Sequence, residues 1–122
     1  MDDMKLGVVE SRFADIIWRH EPLPSRELVA LCQAELNWKK PTTYTVLRKL
    51  CERGIFQNVD GTVSSVISRE EFYAMQSEKF IAEAFQGSLP AFLAAFASRK
   101  PLSEQETAEI RRMINSLEEG KT

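Results

Sequence analysis

The sequence has one histidine, His20, and two cysteines, Cys32 and Cys51, 19 positions apart with no Cys-x-x-Cys pattern. That spacing excludes the usual zinc and iron–sulfur frameworks, and the reading for both thiols is inert and buried. No glycine-rich phosphate loop is present, and no serine or cysteine sits beside a plausible base, so no catalytic constellation emerges and an enzyme is not expected. Neither a cofactor nor a metal, nor a small-molecule substrate, is implied. No apolar run approaches 18 residues, and Met1-Asp2-Asp3-Met4-Lys5 carries acids where a secretion signal would be basic. The expected location is cytoplasmic.

Excess positive charge is also missing. The net charge is −2 over 122 residues, with nine basic and nine acidic side chains in residues 1–66 and seven against nine in 67–122. A nucleic-acid partner would therefore have to be met by local clustering. Such a cluster exists. Between Lys39 and Arg53 stand Lys39, Lys40, Arg48, Lys49 and Arg53 against the single acid Glu52. On a helical turn Thr43, Val46, Leu47 and Leu50 fall on one side, while Tyr44, Thr45, Arg48, Lys49 and Glu52 fall on the other. Thr42 is the expected N-cap and Gly54 the expected left-handed residue that ends the helix. His20, at the end of an earlier helix, is read as structural because a cation is favoured there.

The order of elements around this helix gives it meaning. Val9, Phe13, Ile16, Ile17 and His20 make the stripe of a first helix over residues 6–20, with Trp18 as a side anchor. Glu21-Pro22-Leu23-Pro24 stops it, and Ser25 is expected to cap a second helix to about Leu36. After Gly54, Ile55–Val59 and Thr62–Ile67 are β-prone runs separated by Asp60-Gly61, the signature of a two-residue hairpin. Three helices and a hairpin in this order predict a winged helix-turn-helix over residues 1–67, with Lys39, Lys40, Thr42, Tyr44, Thr45, Arg48 and Lys49 as the DNA-binding residues.

Residues 68–122 predict three further helices. Ser68 and Glu71 open one that runs to about Phe85, Gly87-Ser88 breaks the chain, a second spans Leu89 to Ser98, and Ser103 with Glu106 opens the last. The tail from Glu118 to Thr122 is expected to fray. Phe72, Met75, Phe80, Ile81, Phe85, Leu89, Phe92, Leu93, Phe96, Ile110, Met113, Ile114 and Leu117 exceed what three helices can bury alone. Either this region folds back on the winged domain or a second copy covers it. Dimerisation is the expectation, and two-fold symmetry then implies a palindromic site on double-stranded DNA. The fold class is thus mainly α with a small β-hairpin wing, followed by a C-terminal helical dimerisation module. The rival from another class is a winged-helix protein-interaction module without sequence-specific DNA binding, favoured by the near-neutral charge and the acid at the wing tip.

Leu6, Glu10 and Ile17-Trp18, the stretch from Trp38 to Gly54 with Thr42, Thr45 and Leu50, then Ser68-Arg69-Glu70-Glu71, Gly87-Ser88, Phe96 and Leu102-Ser103-x-x-Glu106 follow one family's order and spacing. In these the chain resembles the penicillinase and methicillin-resistance repressors, the BlaI/MecI type of transcriptional regulator with the copper repressor CopY as a relative. The resemblance implies a homodimeric repressor on a palindromic operator, inactivated when a membrane sensor protease system triggers cleavage in the dimerisation region. The matching bond is Ala95-Phe96, where the best-known members have Asn before the Phe. Lys49 replaces the family's recognition-helix arginine, Tyr44 stands where some members are basic, and the wing is shorter, lacking the family's tyrosines and basic residues. The Cys-x-Cys pairs of the copper branch are absent.

Overall fold

Phe13, Ala14, Ile16 and Ile17 are buried along one face of α1 (Val8–His20), and the rest of the N-terminal unit is assembled on that face. The computed structural model describes residues 5–120; the acidic start up to Met4, and Lys121 and Thr122 of the tail, lie outside the described residues. The expected stripe is shorter than its pattern, since Val9 is 51% exposed and His20 is also exposed. His20 instead turns its Nδ1–H back to the Ile16 carbonyl at 2.9 Å.

The segment after α1 does more than stop a helix. Leu23 and Pro24 form a two-residue strand, β1, paired antiparallel with β3 (Thr62–Ser65) in the register Leu23 to Val63 and Pro24 to Thr62. With β2 (Phe56–Val59) the sheet has the order β1-β3-β2. Proline donates no ladder bond and is tolerated at such an edge. Ser25 is the first residue of α2 (Ser25–Leu36), not its cap, because Pro24 holds the extended N-cap conformation and makes no side-chain cap bond.

A similar shift applies to α3 (Lys40–Glu52), whose N-cap is Lys39. Thr42 lies inside the first turn, since Pro41 ahead of it already has the fixed φ that suits a helix start. The other end follows the pattern. Gly54 adopts φ +81°, its N–H donates to the Cys51 carbonyl at 3.0 Å, and the Ile55 N–H donates to the Leu50 carbonyl at 3.1 Å, the paired bonds of a Schellman ending. At the wing tip Asp60 and Gly61 both have positive φ, 51° and 84°. This is the primed turn that matches strand twist.

Trp18 locks the unit together. Its Nε1–H donates to the Ile67 carbonyl at 3.1 Å, and its rings lie 5.3 Å from Phe56 and 5.7 Å from Phe72 between centroids. Phe72, on α4 (Arg69–Phe85), is 0% exposed. The assignment of Phe72 to a dimer contact is therefore corrected: the start of α4 packs against Trp18 and Tyr73, where its ring is removed from any partner. The chain accordingly divides into Met1–Glu78 and Lys79–Thr122, with the division inside α4.

The second unit contains the end of α4, α5 (Leu89–Arg99) and α6 (Glu104–Glu119). The Ser88 hydroxyl accepts from the Ala91 N–H at 3.1 Å, and Ser103 and Glu106 exchange both bonds of a capping box. Phe85 meets Phe80 and Phe92 edge-on at 5.9 and 5.7 Å. Yet among the described residues from 79 onward none is buried.

Candidate nucleic-acid interface

The outward face of α3 is set by what its inward face is tied to. Leu47 and Leu50 are buried in the core, and the fully buried Thr43 sets its hydroxyl toward the Cys32 sulfur without completing a hydrogen bond. Burial pushes Cys32 up to about 11, an effect that Thr43 partly offsets. With these positions fixed, Thr45, Arg48 and Lys49 are exposed, as are Lys39, Lys40 and Thr42 at the helix start.

Charge on this face is not neutralised from within. Arg19 pairs with Glu35 at 2.9 Å and Arg69 with Asp15 at 3.2 Å, whereas Lys39, Lys40, Arg48 and Lys49 have no carboxylate partner among the described residues. Arg53, counted with the basic run in the sequence, points elsewhere. It is half-buried, donates to the Lys5 carbonyl and lies 3.8 Å from Glu10, so it serves α1 and leaves the outward face. The position of Arg26 was not legible from the linear sequence. It is exposed in the first turn of α2 and has no carboxylate partner among the described residues; it stands next to Ser25, whose hydroxyl receives the Tyr44 hydroxyl at 3.1 Å. That contact places α2's start beside α3 and adds a fifth cation to the group.

Tyr44 itself is half-buried and packs against the core. Its ring joins Leu47, Arg48, Cys51 and Asn58 in walling a cleft of about 320 Å³ between α3 and β2. Cys51 is only half-buried there, but desolvation and the neighbouring Glu52 carboxylate raise its pKa, so the thiol stays protonated at neutral pH. The wing contributes no cation, and its tip is Asp60. At the start of α3 the backbone offers less than four free donors. Pro41 has no N–H, and the Thr42 and Thr43 N–H groups both reach the Lys39 carbonyl at 3.0 and 3.2 Å, which leaves the field of the helix dipole and the Lys40 N–H for an anion.

In the second unit the sequence-named apolar residues are gathered without being covered. Phe80 is 52% exposed and Leu117 67%; Leu89, Phe96, Met113 and Ile114 are exposed, as is Met75 at the end of the first unit. Ile81, Phe85, Phe92, Leu93 and Ile110 are half-buried. Met113 and Leu117 line a shallow groove on α6 with Glu109, Arg112 and Ser116. Among the described residues no three His, Cys, Asp or Glu side chains converge as metal ligands, and no single helix is long and apolar enough to cross a membrane.

Known proteins match this chain along most of its length. A family model described as penicillinase repressor matches residues 6–116. The chain is 22% identical over 115 residues to the methicillin resistance regulatory protein MecI of Staphylococcus aureus strain Mu50, covering 91% of this chain and 94% of that one. It is 24% identical over 121 residues to the penicillinase repressor of Bacillus licheniformis, covering 96% and 94%.

Proposed function

The chain belongs to the penicillinase repressor family, and from that membership we propose that this transcriptional repressor works as a homodimer that sets α3 of each copy into successive major grooves of a palindromic operator. The observation that carries the reading is the outward face of α3. Thr42, Thr45, Arg48 and Lys49 are exposed together, flanked by Lys39, Lys40 and Arg26, with no acid among the described residues taking their charge. Hydroxyls and cations of this kind contact phosphates and base edges, and arginine can hold guanine through two bonds. Lys49 contributes charge without that fork.

Five cations on a chain of net charge −2 give one copy little affinity of its own, so binding rests on linking two copies. The uncovered Phe80, Leu89, Phe96, Met113, Ile114 and Leu117 support the second unit as the site of that link. Covering them is worth about 1.5–3 kcal/mol each before the entropy of association.

Relief of repression follows from the same arrangement. Ala95-Phe96 lies within α5, where the Ala95 carbonyl accepts from the Ser98 hydroxyl at 2.7 Å and the Phe96 carbonyl from the Lys100 N–H at 2.9 Å. A protease takes its substrate extended, so α5 must unwind locally before a sensor-triggered cut. Cutting would separate Leu89 and Phe92 from α6 and remove the avidity that holds two weak half-sites.

Mobility shift with duplex from the promoter of the protein's own gene against a scrambled duplex, together with light scattering on the free protein, tests the reading. The expected result is a dimer retarded only with the promoter duplex. A monomer, or equal retardation of both duplexes, would refute it, and a dimer that ignores DNA would favour a protein-interaction module.

A further inference from the structure

Ser25 occupies a junction between the wing and α3. Its backbone N–H donates to the Gly61 carbonyl at 2.8 Å, in the turn of the wing, and its Oγ accepts from the Tyr44 hydroxyl at 3.1 Å, on the recognition helix. One residue at the first position of α2 therefore holds both reading elements. Tyr44 lies one turn before Arg48 on α3, and both wall the cleft that Asn58 of β2 closes from the wing side.

We propose that Ser25 is a positioning residue for sequence reading: by taking the Tyr44 hydroxyl it fixes the phenol ring beside Arg48, so that Tyr44 meets the operator with its ring and not as a hydrogen-bond donor. The inference rests on α3 being the DNA-reading helix and goes beyond it by naming what sets that helix's base preference. A phenol whose proton is already given to Ser25 has a ring edge to offer a base, and an apolar edge suits the thymine methyl. Released from Ser25, the hydroxyl can donate to phosphates or to any acceptor in the groove, and preference at that base pair should relax. The Ser25 backbone bond to Gly61 is untouched by side-chain replacement, so loss of the hydroxyl separates the Tyr44 link from the wing link.

The test is selection from a pool of duplexes with a randomised central stretch, using the full-length chain. Wild type is expected to enrich one motif. Ser25→Ala should reduce discrimination at one base pair in each half-site by about three- to five-fold, the order of one net hydrogen bond, and Tyr44→Phe, which loses the anchor but has no hydroxyl to release, should lose no more than that at the same base pair. The double variant should fall no further, and Ser25→Thr, which restores a hydroxyl, should recover the wild-type profile. Losses that multiply in the double variant, or an unchanged motif in Ser25→Ala accompanied only by a lower melting temperature, would overturn the positioning role. A wild-type chain that enriches no motif would instead overturn the reading of α3, and Ser25's role with it.

Discussion

Replacing Arg48 and Lys49 by alanine removes charge from the outward face of α3 without touching the core, because both side chains are exposed and neither has a carboxylate partner among the described residues. Alanine is the strongest helix former, so the fold should be kept and the melting temperature should not fall. The effect should therefore appear in binding alone. Lys39, Lys40, Arg48, Lys49 and Arg26 present five cations per copy, and two copies on one duplex give an upper limit of about ten phosphate contacts, or a slope of log affinity against log salt of about −9. The double variant removes two cations per copy, which should bring the slope to about −5.4.

The difference is large enough to measure. Between 50 and 200 mM salt a slope of −9 lowers affinity about 250,000-fold, whereas the reduced slope lowers it only about 1,800-fold. Fluorescence anisotropy with a labelled promoter duplex across that range reads both values. If the variant bound more weakly at low salt but kept the wild-type slope, Arg48 and Lys49 would not be exchanging counterions with phosphate. If it bound as the wild type does at every salt, the outward face of α3 would not be the DNA surface.

Three further outcomes test the structure around the site. Phe72→Ala should destabilise the first unit by about 3–5 kcal/mol in urea unfolding, the cost of emptying a fully buried aromatic site, while Phe80→Ala should weaken dimerisation with little change in that transition; a Phe72→Ala protein that is monomeric but melts normally would refute the placement of Phe72. Gly54→Ala should cost about 1–2 kcal/mol, entirely conformational, because Gly54 has φ +81° and an added Cβ would meet nothing within 4 Å; no change in the urea midpoint would argue against the Schellman ending. Cys32, raised to about 11 from 9.0, keeps its proton in the folded state where the unfolded chain begins to lose it, so stability should be full below pH 9 and decline as pH rises toward 11. Cys32→Ala should flatten that decline, and an equally steep fall in the variant would refute the assignment.

What was legible in the sequence and what was not divides by the range of the interaction. Gly54, Asp60-Gly61, Ser88 and the Ser103–Glu106 pair act within a few residues of themselves, and each stands where local rules put it. Thr42 and Ser25 did not become caps because Pro41 and Pro24 start their helices earlier, a competition that favours the residue already holding the needed φ. β1 is two residues long and exists only because β3 lies beside it, so no periodicity could announce it. Phe72 had the composition of an interface residue and became core through Trp18, 54 positions earlier in the chain. The same logic rules the candidate site. Lys39, Lys40, Thr42, Thr45, Arg48 and Lys49 could be named from one helix's periodicity, whereas removing Arg53 required knowing where Glu10 lies, and adding Arg26 required knowing that Ser25 touches Tyr44. A reading face is thus defined as much by which cations the fold neutralises as by which ones the helix carries. In this chain α1 withdraws one arginine from the basic run, and the packing of α2 on α3 adds another in its place.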